Sequence, residues 1–489
     1  DNTSIEYYAT IFTVAESSLK PGIIWTGSDD GLIYLTKDNG NSWANVTPPK
    51  NLLPEWAQIN SIEADPFNEG GLYVAATRYK SDDFHAYILK TKDYGKSWEK
   101  ITNGIAPDHF TRVVRADPNR KGLLYAGTEN GIYISFDDGD NWNPFQLNLP
   151  IVPITDLAVK NSDLVVATQG RAFWVLDDLS PIYQINSEVL KSQVWLYKPG
   201  KTYRAGGYSS NNTITSGKNL GQGVIIDYYF KTLPDSNSIQ LQILDKNLNL
   251  ISTFKPNEKE KKYQMPLEQG LKRFTWNMRY PDAEDFKGLI MWAGSTTGPI
   301  AVPGKYFAKL ISKKDTLTVP FEILKDPRSG ATLADLQEQF DFLISVRDKL
   351  SEANTAVKKI RQIRDQMNKV LEKAKDQNGE DEIKKAKEEV DKILTDVEEN
   401  LYQVKNRSSQ DPLNYPIKLN DKLSGVGSLT SIGDYKPTDQ AIKVKNELVN
   451  KIDVELEKLK KVIKIDIPAF NKLVHEKDIP AVYIEMKKE

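Results

Sequence analysis

An eight-residue frame occurs three times in the first third of the chain: Thr36-x-Asp38-x-Gly40-x-x-Trp43, Thr91-x-Asp93-x-Gly95-x-x-Trp98 and Ser135-x-Asp137-x-Gly139-x-x-Trp142. The tryptophans stand 55 and then 44 residues apart. A strand-like run precedes each frame: Ile33-Tyr34-Leu35, Tyr87-Ile88-Leu89 and Ile132-Tyr133-Ile134. Before each of those lies a small-residue strand, such as Ile24-Trp25-Thr26-Gly27 or Leu124-Tyr125-Ala126-Gly127. Short strands with regular turn signals, repeating at this period, predict the blades of a β-propeller.

The spacing has a mechanical reading. The Asp carboxylate accepts hydrogen bonds from its own turn's amides, the Gly two residues on supplies a positive φ, and the Trp folds back as a wedge. Asp38, Gly40, Trp43, Asp93, Gly95, Trp98, Asp137, Gly139 and Trp142 are therefore expected to staple hairpins. One Asp per hairpin is too few ligands for calcium. A fourth repeat runs from Ile154-Thr155-Asp156-Leu157 through Val165-Val166-Ala167-Thr168 to Ala172-Phe173-Trp174-Val175, and it lacks the frame. Leu179-Ser180-Pro181 reads as the exit from the array. Four such blades hardly close a ring, so the others are expected upstream of Asp1 or from another chain. A start at Asp1 without Met reads as a removed targeting segment or as a piece of a longer precursor, and the repeat count favours the second.

These frames resemble the Asp-box, or BNR, repeats of sialidases, xyloglucanases and sortilin-type propellers. The stretches ESSLKPGIIWTGSDDGLIYLTKDNGNSW, TRVVRADPNRKGLLYAGTENGIYISFDDGDNW and GRAFWVLDDLSP are similar to a large bacterial family of BNR-repeat proteins, often called glycosyl hydrolases or sortilin-like. The later segments DPLNYPIKLNDKL and PTDQ resemble that family too, so the likeness spans nearly the whole chain. It implies further N-terminal blades and export to the periplasm, the cell surface or the medium. The repeats are shared by enzymes and non-enzymes, so the resemblance carries over no catalytic residue.

Residues 186–328 alternate differently from the propeller blades expected over 1–185. Strand runs at Val224-Ile225-Ile226, Ile239 to Leu244, Phe274-Trp276-Met278 and Tyr306 to Leu310 predict a small antiparallel sandwich of immunoglobulin or fibronectin type. Trp276 and Tyr306 fit either core packing or a ligand-facing surface. From 329 to 489 the pattern is helical. Thr332 with Asp335 is a capping signal, and Leu336, Phe340, Leu343, Leu350, Ala353, Val357, Ile360, Met367, Leu371 and Ala374 follow one 3-4 register, broken by Arg347 and Arg364. A turn at Asn378-Gly379 and a return helix from Ile383 to Val404 complete a long antiparallel helical bundle, to which Pro437-Thr438 adds a last helix.

Chemistry is sparse by comparison. There is no cysteine, which excludes disulfides, thiolate metal sites and cysteine nucleophiles. The three histidines, His85, His109 and His475, have no helical zinc spacing, and no nucleophile elbow, phosphate-cradling loop or dinucleotide fingerprint occurs. No metal or cofactor is expected. Lys plus Arg (65) nearly balance Asp plus Glu (67), so no single-sign field points to nucleic acid, and no apolar run is long enough to span a membrane.

Ligands of propellers sit at the mouth of the channel lined by the innermost strands. Alignment of the repeats places Phe12, Asn60, Arg112 and Asp156 there, with Arg112 facing Asp156 either as a polar site or as an ion pair between blades, and it aligns Arg115 with Glu63. The insertion from Arg78 to Ala86, with Tyr79, Asp82, Asp83 and His85, is a candidate ligand-facing loop, and Trp56 fits either inter-blade packing or sugar stacking. Two readings follow. One is an exported, non-catalytic propeller that captures a peptide, a glycan or a partner protein. The other is a sialidase- or xyloglucanase-like glycoside hydrolase whose carboxylates lie largely in the missing N-terminal blades. A purely structural subunit of an envelope complex is a third.

Overall fold

The computed structural model describes residues 9–206, 217, 219–292, 294–313 and 315–479. The chain is mainly β, built of small sheets, with a helical C-terminal region. Its contacts divide it into two compact units, Asp1–Lys191 and Ser192–Glu489.

The first unit is four successive antiparallel meanders. They comprise β1–β4 (Ile11–Glu16, Ile24–Ser28, Ile33–Thr36, Ala44–Asn45), β5–β8 (Gln58–Ala64, Leu72–Arg78, Asp83–Thr91, Glu99–Lys100), β9–β12 (Thr111–Ala116, Leu124–Thr128, Gly131–Ser135, Asn143–Pro144) and β13–β15 (Ile154–Lys160, Asp163–Thr168, Phe173–Leu176). Two short helices follow, α1 (Ser180–Gln184) and α2 (Ser187–Lys191). Side chains of a strand alternate between its two faces, and here both faces are used. Leu72, Val74 and Ala76 of β6 join a core shared with the first sheet, while Tyr73 and Ala75 join one shared with the third. A third such core lies between the third and fourth sheets. The small residues of the second strands make this stacking possible: a Cβ on Gly27 would stand 2.4 Å from Ile59, and one on Gly127 2.7 Å from Ile154.

Each repeated frame closes the turn between the third and fourth strands. Thr36 donates to Asp38 (2.8 Å) and accepts from the Gly40 amide (2.9 Å), while the Ser42 amide (2.9 Å) and hydroxyl (2.6 Å) donate to Asp38. Asp93 and Asp137 receive the same set from Thr91 and Ser97, and from Ser135 and Asn141. Two successive residues take positive φ in every frame: Asn39-Gly40, Tyr94-Gly95 and Asp138-Gly139. Two of the tryptophans differ from expectation. They cross to the preceding sheet, where Trp98 Nε1 donates to the Val46 carbonyl (2.9 Å) and Trp142 Nε1 to that of Ile101 (2.8 Å), whereas the Trp43 ring lies beside Gly40 of its own frame. Trp142 is 3% exposed; Trp43, which has no preceding sheet among the described residues, is 45% exposed.

In the second unit two sheets share one core. One is β16 (Val194–Leu196), β18 (Val224–Phe230) and β21 (Gly270–Trp276); the other orders β17 (Thr202–Arg204), β23 (Thr316–Lys325), β22 (Gly304–Ile311), β19 (Gln240–Leu244) and β20 (Leu250–Phe254), with β17 parallel to β23. Trp276 and Tyr306 are core residues, 6.0 Å apart edge to face. The helices are α3 (Leu333–Ala374), α4 (Glu380–Leu401), α5 (Leu419–Thr430), α6 (Asp439–Lys461) and α7 (Ile467–Glu476). Thr332 and Asp335 form the expected capping box. Arg364 of the broken register reaches Glu398 on α4 at 2.8 Å, joined there by Arg361 at 2.8 Å. The link between β21 and β22 lies on the helices, with Tyr402 donating to the Gly288 carbonyl and the Trp292 amide to Asp421, so sheets and helices form one unit.

Candidate functional site

The first strand of each meander loses register once, near its start: between Ile11 and Thr13, Ile59 and Ser61, Thr111 and Val113, and Ile154 and Asp156. The extra residue of such a bulge is re-aimed out of the ladder. These residues are Phe12, Asn60, Arg112 and Thr155. The bulge, present at the same place in every repeat, shows that the fourth repeat stands one residue off the sequence alignment: Thr155, not Asp156, is the counterpart of Arg112.

That shift decides the ion pairs. Arg112 does not face Asp156; it pairs with Glu129, with Nε and Nη2 both 2.6 Å from one carboxylate oxygen. Asp156 is bound instead by Arg115, whose Nη2 lies 2.7 Å away. Arg115 ties three sheets together: its Nη1 donates to Ser61 (2.6 Å) and its Nε to the Leu157 carbonyl (2.9 Å). Glu63 stands 3.7 Å from Arg115. Burial pushes the Glu63 carboxyl up to about 7, with Arg115 opposing. The pair is long because Arg115 spends its Nη1 on Ser61 and a backbone carbonyl.

Asn60 accepts from Gln58 (2.9 Å) and donates to Thr77 (3.0 Å), and Lys80 of the insertion donates to Gln58 (3.3 Å). Within the insertion Asp83 is the hub. It accepts from Arg78 (3.2 Å) and Tyr87 (2.8 Å), and His85 Nδ1 lies 2.8 Å away. Burial raises the Asp83 carboxyl, but the hydrogen bonds from His85, Tyr87 and Arg78 outweigh it and hold it at about 2. Beside this network lies an aromatic cluster that sequence reasoning missed. Tyr79 stacks on Phe110 at 5.1 Å, Phe84 stands 6.1 Å from Phe110, and the Arg112 guanidinium caps Phe110 at 5.3 Å and Tyr79 at 5.8 Å. Tyr79 and Phe84 are exposed; Phe110 is their buried footing. The insertion carries Tyr79 and Phe84 to a residue 26 positions or more downstream, a contact that no local pattern encodes. Trp56 is exposed, at positive φ, with its backbone beside Gly31 of the first sheet.

Among the described residues no group of three or more His, Asp or Glu side chains gathers as a metal site, and no helix is long and apolar enough to cross a membrane. Chemically, the site offers exposed rings for stacking, a paired arginine at their edge, and carboxylates each engaged by a cation.

No family model matches the chain, and no curated protein matches it. Solved structures do. YCF48 bound to a D1 peptide is 22% identical, covering 35% of this chain and 52% of its own, with a TM-score of 0.28. YCF48 from Cyanidioschyzon merolae is 17% identical over 34% and 53%, with a TM-score of 0.27. The GH74 xyloglucanase from Xanthomonas campestris is 13% identical over 64% and 54%, with a TM-score of 0.26. The chain thus spans about half the length of these structures.

Proposed function

We propose that the first unit is a ligand-capturing module, its four sheets serving as propeller blades with Asp-box turns, and that it holds a peptide, a glycan or a segment of a partner protein against the Tyr79–Phe84–Phe110 cluster. The observation that carries this reading is that cluster. Two exposed rings are held by a buried third and capped by Arg112, an arrangement suited to stacking on apolar side chains or sugar faces. The unit is read as incomplete. Ile11, Phe12, Val14 and Trp43 expose an apolar face on the first sheet, and every later frame tryptophan is covered by the sheet before it. A further sheet of the same repeat, from an upstream segment or another chain, is proposed to cover it. The sandwich is read as an immunoglobulin-like module and the helices as a docking or spacing bundle. Export, tested by cell fractionation, remains part of the proposal.

A second reading rests on one specific observation. Glu63, held at about 7, and Asp156 flank the same arginine, and glycoside hydrolysis uses a pair of carboxyl groups. The similar structures include both a peptide-bound protein and a xyloglucanase, and leave the choice to the site. The test is a peptide and glycan binding screen run beside a xyloglucan and sialoside hydrolysis assay. Capture without turnover, weakened at least tenfold in Tyr79→Ala and Phe84→Ala, is the expected result. Turnover abolished by Glu63→Gln would instead select the hydrolase.

A further inference from the structure

The second unit contains a cavity of about 230 Å³ that plays no part in the site above. Its wall draws on β17, on the link between β21 and β22, and on helices α3 and α5. Every titratable side chain on that wall is an arginine: Arg204 at the end of β17, Arg279 just beyond β21, and Arg347 on α3. Arg347 is one of the two residues that interrupt the apolar register of its helix.

Each guanidinium is anchored. Arg204 Nη2 donates to Gln339 (3.1 Å) and lies 3.5 Å from Asp434. Gln339, itself 2% exposed, is fixed by donating to the Thr430 and Gly433 carbonyls, both at 2.9 Å. Arg279 Nη1 donates to the Gly298 carbonyl at 2.9 Å. Arg347 Nη1 donates to the Pro281 carbonyl at 3.0 Å, and its Nε lies 2.7 Å from Asp348. The anchoring leaves capacity over. Arg204 Nε and Nη1 are buried with no hydrogen-bond partner among the described residues, although the side chain is only 11% exposed.

A buried guanidinium does not escape its charge by losing a proton, so unmet donors call for an acceptor. Burial pushes Arg204 below the usual arginine range with Asp434 opposing, and Arg279 likewise with Asp282 opposing. Asp434, Asp282 and Asp348 sit beside these arginines but off the cavity wall, which carries no carboxylate of its own. An oxyanion is the strongest partner for such a set, because each bond is charge-assisted and the guanidinium fork matches its oxygens. The rest of the wall includes Phe340, Leu343 and Val346, which suit a compact apolar body.

We infer that this cavity binds a small organic oxyanion, a carboxylate or phosphate ester on a compact apolar body, with Arg204, Arg279 and Arg347 holding its charged group. Calorimetric titration of the full chain with benzoate, phenyl phosphate, inorganic phosphate and neutral benzyl alcohol at constant ionic strength tests it. Saturable binding of benzoate or phenyl phosphate is expected, at least tenfold weaker in Arg204→Met and in Arg347→Met and unchanged in Lys259→Gln. Which anion binds tighter identifies the head group. Should Arg204→Met fail to fold, Arg347→Lys, which keeps the charge and breaks the fork, takes its place. Absence of saturable binding by any anion, equal affinity in the arginine variants, or benzyl alcohol binding as tightly as benzoate overturns the inference.

Discussion

Glu63 and Asp83 are half-buried carboxylates of the same unit that burial and hydrogen bonding drive in opposite directions. Asp83 has three side-chain donors around it and is held at about 2; at Glu63 burial outweighs Arg115 and the Ala116 amide and pushes the carboxyl up to about 7. The consequence for stability follows from the sign. A carboxyl that keeps its proton more tightly when folded contributes stability below the ordinary glutamate value, and that contribution is lost as pH rises through about 7. Glu63→Gln is therefore expected to remove part of the fall in Tm that the wild-type chain shows between about pH 5 and pH 8. Superimposable pH profiles for the two proteins would show that Glu63 is ionised throughout. The residue types here were readable from the sequence, but their pairing was not. Sequence alignment sets Arg112 level with Asp156, whereas the bulges set it level with Thr155; Asp156 goes to Arg115 and Arg112 to Glu129. A bulge is a backbone event that leaves no mark in residue spacing.

The repeated frames were legible because the Asp, Gly and hydroxyl positions act within one turn, over eight residues. The destination of each tryptophan was not, because Val46 and Ile101 receive it through backbone carbonyls, which any residue supplies. Sheet stacking follows from that lock. Gly95 and Gly139 sit so close to Val46 and Ile101 that a Cβ would stand 2.5 and 2.4 Å away, whereas Gly40 meets nothing nearer than 3.8 Å. The account thus predicts that Trp142→Ala costs about 3–5 kcal/mol, and that Trp43→Ala in the isolated chain costs under about 1 kcal/mol. Denaturant unfolding of both variants checks this, and equal losses would mean that the lock is not what holds the sheets. The helices show the same division. The capping box and the turn at Gly379 were readable locally. The single stripe was not sufficient, since α3 packs against α4, α5 and α6 and buries Phe342, Val346 and Asn354 outside it. Asn354 is paired with Asn420 and with the Glu284 carbonyl, long-range partners that no periodicity reveals.

At the scale of the whole molecule, the first unit is an array whose cores all lie between successive sheets. In such an architecture a terminal sheet has one core too few unless a polar cap or another sheet covers it. Among the described residues the first sheet has no polar cap: it exposes Ile11, Phe12, Val14 and the ring of Trp43, and the fourth exposes Phe173 and Val175. On the proposed reading, a further repeat covers the first sheet and completes the ligand-capturing module. Native mass spectrometry of the protein isolated from its own cells, with wild-type and Trp43→Glu sequences, tests it most directly. The account predicts that this 55.3 kDa sequence is recovered within a larger species, one longer polypeptide or a complex with a second, that contributes the covering sheet. It also predicts that Trp43→Glu dissociates the complex or lowers the Tm of the longer polypeptide. A lone species of 55.3 kDa, indifferent to Trp43→Glu, would contradict it.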